Sequence, residues 1–165
     1  MDPLFARRSC RSFTDDPVTD EDVHAVLLAA MAAPTAVNAR PWEFYLTRDP
    51  DLMARLAACS PYAHPATQAP VLVAACYHDD CTAPEYAQID MAIACENIMV
   101  SAASLGLGTV LLGIAPEDDR MAAARDVLDL PEHVRCFGLI PLGHPAHEPA
   151  PHGDDVWDED RVHWL

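Results

Sequence analysis

The stretch from residue 85 to 105 limits this chain more than any other. It has helical spacing, closes on Gly106 as a C-cap, and is apolar almost all round. Its polar residues Asp90, Asn97, Ser101 and Ser104 line one narrow stripe. A helix apolar on most sides must be covered on most sides. In a chain of 165 residues, that coverage points to a partner subunit as well as a local core. An ordinary central helix is the alternative.

Around this helix, strand and helix signals alternate. Residues 3–11 can form a short helix carrying Arg7, Arg8 and Arg11. Thr19 with Asp20, Glu21 and Asp22 reads as a helix start, a cap followed by acids that suit the positive end of the dipole. Val23, Val26, Leu27 and Ala30 continue it, and Pro34 ends it. Residues 34–42 are a loop by composition. Residues 43–47 read as a strand, and Asp49-Pro50 opens another helix. Residues 71–77 are a continuous apolar run, as a buried strand would be. Residues 108–114 read as a strand, 116–130 as a helix, and 134–142 as a last strand ended by Gly143. Residues 144–165, rich in Pro, His and Asp, look like an extended arm that Trp157 and Trp164 could anchor on something apolar. The pattern predicts one α/β or α+β domain over residues 1–165, a sheet covered by helices.

Charge narrows the function. The chain has 26 acids against 10 arginines and no lysine, a net charge of −16. Nucleic acid and anionic membranes need a positive footprint, so neither is an expected partner. No charge-free run is long enough to span a bilayer, and no secretory signal pattern opens the chain, so the expected location is cytoplasmic. Against this acidic background Arg7, Arg8 and Arg11 cluster within five residues. Guanidinium pairs with phosphate in a fork geometry, which favours an anion site; a solvated face pairing with nearby acids is the other reading.

No Gly-rich phosphate loop and no GxSxG occurs, which removes dinucleotide-fold, P-loop and serine-hydrolase readings. Six cysteines include no CxxC pair. Cys76, His78 and Cys81 lie close in sequence but lack the further ligands of a standard metal site, and no metal is expected. No side chain looks placed as a catalytic acid, base or nucleophile. Such a chain fits a cofactor that carries the chemistry while the protein binds and tunes it.

Four stretches in order carry a resemblance: ARRSCRSFTDDPVTDED, AAMAAPTAVNARPWEF, ASLGLGTVLLGI, and GHPAHEP with DEDRVHWL. Together they resemble the nitroreductase family of FMN-dependent oxidoreductases over nearly the whole chain. The resemblance implies an α-β-α sandwich with a mostly antiparallel central sheet, in an intertwined homodimer that holds FMN at its interface. It assigns Arg7, Arg8, Ser9 and Arg11 to the FMN grip: Arg7 and Ser9 toward the phosphate or ribityl chain, Arg11 toward the pyrimidine edge. Pro34, Thr35 and Asn38 match the loop laid against the flavin by the second subunit. Leu112 and Gly113 match the backbone facing the ring, and Arg161 a late basic residue at the phosphate. Gln68 is the nearest polar candidate for the pyrimidine edge before the second strand. Position 40 is Arg where the family usually has Gln, and Thr35 stands for Ser.

The implied activity is hydride transfer from NADH or NADPH through FMN to an electron-poor acceptor such as a nitroaromatic or quinone. The alternatives are another flavin reaction on the same scaffold, such as a dehydrogenase or dehalogenase, or a non-enzymatic flavin- or metal-binding dimer.

Overall fold

The computed structural model describes residues 2–147, 150–153 and 156–165. A short helix, α1 (Pro3–Ala6), is capped by Asp2, whose side chain accepts from the Leu4 amide at 3.0 Å. Helix α2 (Asp20–Met31) begins where the acids predict: the Thr19 hydroxyl accepts from the Asp22 amide at 3.1 Å. A one-turn 3-10 segment, Ala36–Asn38, leads into strand β1 (Trp42–Thr47). Helix α3 (Pro50–Ala57) is capped by Asp49, which accepts from the Asp51 amide at 3.0 Å. Strand β2 (Val71–His78) follows, then the long helix α4 (Pro84–Ser104). Two short strands, β3 (Gly108–Thr109) and β4 (Leu112–Gly113), precede helix α5 (Asp118–Leu128) and strand β5 (Val134–Gly143).

The pairings among these five strands are antiparallel. Strand β5 pairs with β2, β3 and β4, while β1 joins the other side of β2, giving the order β1-β2-β5-β3 with β4 also on β5. Alternate side chains then serve two cores. Val73, Ala75, Ile140 and Leu142 face Val26 and Ala30 of α2 and Met91, Ala94 and Ile98 of α4. Leu72, Ala74, Cys76 and Leu139 face Met53 and Leu56 of α3 and Ala124 of α5. The fold is therefore the helix–sheet–helix sandwich that the resemblance implies. Seven successive residues of β2 are buried because both faces are covered.

Three sequence expectations need correction. The arginines are not on a helix: α1 stops at Ala6, and Arg7 turns extended at ψ 124. The chain instead lies along the sheet, with the Cys10 amide donating to the Thr109 carbonyl at 2.8 Å and Ser9 bridging Thr109. The strand expected over residues 108–114 is broken between Thr109 and Leu112. The last helix starts after Glu117, which takes an extended cap conformation, and ends before Asp129, whose φ of 51° turns the chain out of the helix.

Helix α4 buries eight residues, yet Tyr86, Ile89 and Ile93 remain 48%, 57% and 38% exposed along one stripe. Beyond β5, the chain runs back along the N-terminal segment: Ala146 donates to the Ser12 carbonyl at 3.0 Å and His152 to that of Phe5 at 2.9 Å. Residues 148, 149, 154 and 155 of the expected arm lie outside the described residues. Among the described residues, Trp157 and Trp164 remain 68% and 96% exposed. No helix among the described residues is long and apolar enough to cross a membrane.

Candidate functional site

The extended backbone after α1 exists because β3 accepts it as an edge. Gly108 makes the close approach possible, since a Cβ there would stand 2.7 Å from the Cys10 sulfur. Between this segment, the end of α4 and the start of the arm lies a cavity of about 520 Å³. Its wall includes Arg7, Arg8, Cys10, Leu107, His144 and Pro151. Burial pushes the Cys10 thiol up, so it lines the wall as a neutral group.

Arg7 is half-buried, and its Nε meets Glu96 Oε1 at 3.3 Å. Arg8 donates from Nη1 to the His152 ring at 2.8 Å. Two guanidinium groups thus line the cavity while one carboxylate, Glu96, pairs with Arg7, leaving positive charge for an anion. Ser9 and Arg11 are exposed beside them; the Arg11 side chain donates to the Ser9 carbonyl at 3.5 Å.

The loop of residues 34–41 is built on backbone that L-residues rarely take. Val37, Asn38 and Arg40 have φ values of 46°, 58° and 49°. Among the described residues, three side-chain ties help to hold it, beside its own backbone hydrogen bonds. The Asp90 carboxylate, buried on α4, accepts from the Ala36 amide at 3.1 and 3.2 Å. The Thr35 hydroxyl accepts from the Arg40 amide at 3.2 Å. Arg40 Nε donates to Asn38 Oδ1 at 2.9 Å, which leaves the Asn38 side-chain nitrogen as a donor. Pro34, Val37 and Asn38 are exposed.

Leu112 is buried while Gly113 is exposed on β4, and a Cβ at Gly113 would meet only the Ala115 carbonyl at 3.6 Å. This leaves a smooth patch of open backbone. Gln68 is exposed and bonds Thr67; Arg161 is 85% exposed and pairs with Asp158 at 2.6 Å. Among the described residues, only Arg7 and Arg8 of the candidate residues line the cavity of this single chain. Cys76 and Cys81 go to opposite cores, and His78 instead meets Glu43 at 2.6 Å. The soft ligands close in sequence are therefore not brought together.

Two residues not singled out as site residues stand out. Glu96 faces Arg7, and Asp90 holds the loop. The signal for Asp90 is in the sequence, as the acid in the polar stripe of the long helix.

The nitroreductase family model matches residues 4–60 and 59–144. The chain belongs to the nitroreductase family. A protein of Methanothermobacter thermautotrophicus that bears the name NADH dehydrogenase/NAD(P)H nitroreductase is 37% identical over 99% of this chain and 85% of its own. A solved protein of the same name from Bacteroides thetaiotaomicron superposes with a TM-score of 0.93 at 34% identity, covering 99% of this chain and 95% of that one. A solved nitroreductase of Desulfovibrio desulfuricans in complex with FMN gives a TM-score of 0.78 at 28% identity, over 90% of this chain and 87% of that one. These two solved structures share the fold of this nitroreductase over most of their own length.

Proposed function

We propose that this nitroreductase is an FMN-dependent oxidoreductase that passes hydride from NADH or NADPH to an electron-poor acceptor such as a nitroaromatic or quinone, working as a homodimer. The observation that carries this reading is the pair Arg7 and Arg8 on the wall of a cavity of about 520 Å³, in a chain of net charge −16. A phosphate dianion complements that pair, and a half-buried guanidinium holds it more firmly than an exposed one. The FMN complex of the Desulfovibrio relative supports the choice of anion.

When bound, FMN supplies the hydride chemistry, and the chain supplies binding and electrostatics. Arg7, Arg8 and Ser9 would hold the phosphate and ribityl chain, with Arg161 as a further phosphate contact. Arg11 and Gln68 would meet the pyrimidine edge, where a positive charge stabilises the reduced ring. Leu112 and Gly113 would face the ring with backbone and little bulk. Pro34, Thr35 and Asn38 would close over it from the second subunit. The exposed stripe of Tyr86, Ile89 and Ile93, with Leu28 and Met31 of α2, supports such a subunit, since it is apolar surface that water covers poorly.

The test is the visible spectrum of the purified protein, before and after anaerobic addition of NADH and then NADPH. A flavin spectrum bleached by either nicotinamide, and restored by menadione, is expected. A colourless protein that takes up no FMN on titration would overturn the reading. Bound FMN that neither nicotinamide bleaches would move the chain to a different flavin reaction.

A further inference from the structure

We propose that Asp90 is a positioning residue: its buried carboxylate pins the Ala36 amide and so fixes the strained loop of residues 35–40 in the shape that presents Thr35 and Asn38 to the cofactor. This rests on the reading that the loop lies against bound flavin.

The argument starts from cost. A residue with φ near +50° is disfavoured for any side chain with a Cβ, most of all for a β-branched one. Here Val37, Asn38 and Arg40 all take it within four positions, and no glycine relieves them. Such a conformation persists only where its surroundings over-determine it. Val37 does not supply the hold, because its side chain is 74% exposed. The hold comes from beneath. Asp90 is 4% exposed, and among the described residues the Ala36 amide, immediately before Val37, is the partner the structure gives it. A carboxylate is costly to bury unless it is used, and one that meets backbone alone marks a structural demand at that amide.

The placement on α4 extends the same logic. Asn97, two turns after Asp90, donates to the Ala29 carbonyl at 2.9 Å, near the end of α2. The polar stripe of α4 therefore grips both the helix entering the loop and the loop itself. Between these two clamps the chain has little freedom, and the Thr35–Arg40 hydrogen bond closes the turn. The Asn38 side chain, tied by Arg40, is then preorganised rather than mobile.

The test compares the full-length wild type with Asp90→Ala and Asp90→Asn, each with flavin bound and after its removal. Hydrogen exchange at the Ala36 amide, followed by NMR on flavin-free protein, reads the anchor directly. Exchange at least tenfold faster in Asp90→Ala is expected, with β5 amides unchanged. Asp90→Asn, which keeps an acceptor oxygen, should stay nearer the wild type. Titration with FMN then reads the consequence: a dissociation constant raised at least fivefold in Asp90→Ala and mostly restored in Asp90→Asn. If Asp90→Ala does not fold, Asp90→Ser, too short to reach the amide, takes its place. Wild-type exchange at Ala36 in the short variants overturns the anchor, and faster exchange with an unchanged FMN dissociation constant overturns its link to the cofactor. A wild-type protein that binds no FMN sinks the flavin reading instead, and the exchange rates alone then decide whether Asp90 holds the loop.

Discussion

At Arg7 two demands meet. The guanidinium is half-buried, so it must be paired, and Glu96 pairs with it at 3.3 Å from one oxygen only. An anion in the cavity would take the remaining donors, and the same side chain would then serve fold and ligand. Removing it should weaken FMN binding by about 1.5–3 kcal/mol, the range for hydrogen bonds to charged groups. Fluorescence titration of Arg7→Ala protein stripped of flavin checks this; an unchanged dissociation constant counts against the phosphate assignment. Gly113 offers the opposite experiment. Its missing side chain leaves open surface, and an added Cβ meets nothing closer than 3.6 Å. Gly113→Val should therefore fold with a thermal midpoint close to wild type while losing most of its FMN. Full flavin occupancy in that variant would refute the placement of the ring.

Between elements, polar ties are placed where apolar packing runs out. Glu43 on β1 accepts from Tyr45 at 2.7 Å and meets His78 of β2 at 2.6 Å. The Tyr45 hydrogen bond, and then the His78 contact, hold the Glu43 carboxyl below its ordinary 4.5 against the opposing effect of burial. Burial first, and Glu43 second, push Tyr45 up to about 12. The signs follow from linkage. A lowered carboxyl stabilises the fold above pH 4.5, and that contribution is lost as pH falls through the lowered value. A raised phenol stabilises the fold below pH 10, and loses that contribution as pH rises toward about 12. Glu43→Gln should thus be less stable than wild type at neutral pH and converge with it in acid, as urea midpoints at pH 7 and pH 3 would show.

The elements also differ in how openly the sequence announces them. Helices α2 and α3 carry their caps in plain view, as Thr19 and Asp49 ahead of acidic first turns. Strand β2 and helix α4 are long apolar runs, and Gly106, at φ 74°, closes α4 as expected. Short elements were harder, because one hydrogen bond decides them. Nothing in residues 3–11 signals that Thr109 will accept the Cys10 amide and draw the arginines out of a helix. Nor does the glycine-free run of residues 35–40 signal its left-handed turns, since the cause sits at Asp90, far along the chain. The cavity wall was legible in part, as Arg7 and Arg8 by clustering; the Glu96 partner of Arg7 was not.

For the whole molecule, the apolar account does not close within one chain. Leu28, Met31, Tyr86, Ile89 and Ile93 are each more than a third exposed, and Trp164 is almost free. Surface of that kind on a chain this acidic is expected to be covered by a second copy. Replacing both Ile89 and Ile93 with Glu should convert a dimer to a monomer, read by light scattering after size exclusion. Flavin should be lost with it if the second subunit contributes residues 34–38. A wild-type protein that runs as a monomer with FMN bound would remove that arrangement.

Strand β5 joins β2, β3 and β4, so three strands made earlier wait for one made late. During synthesis, β2 leaves the ribosome with its edge toward β5 bare and its two faces apolar, and residues 134–143 arrive only when most of the chain is already out. A truncated product ending before residue 134 would keep that edge open for good. Cells should degrade or aggregate such fragments rather than accumulate them, and nascent-chain chaperones should engage this protein through most of its length.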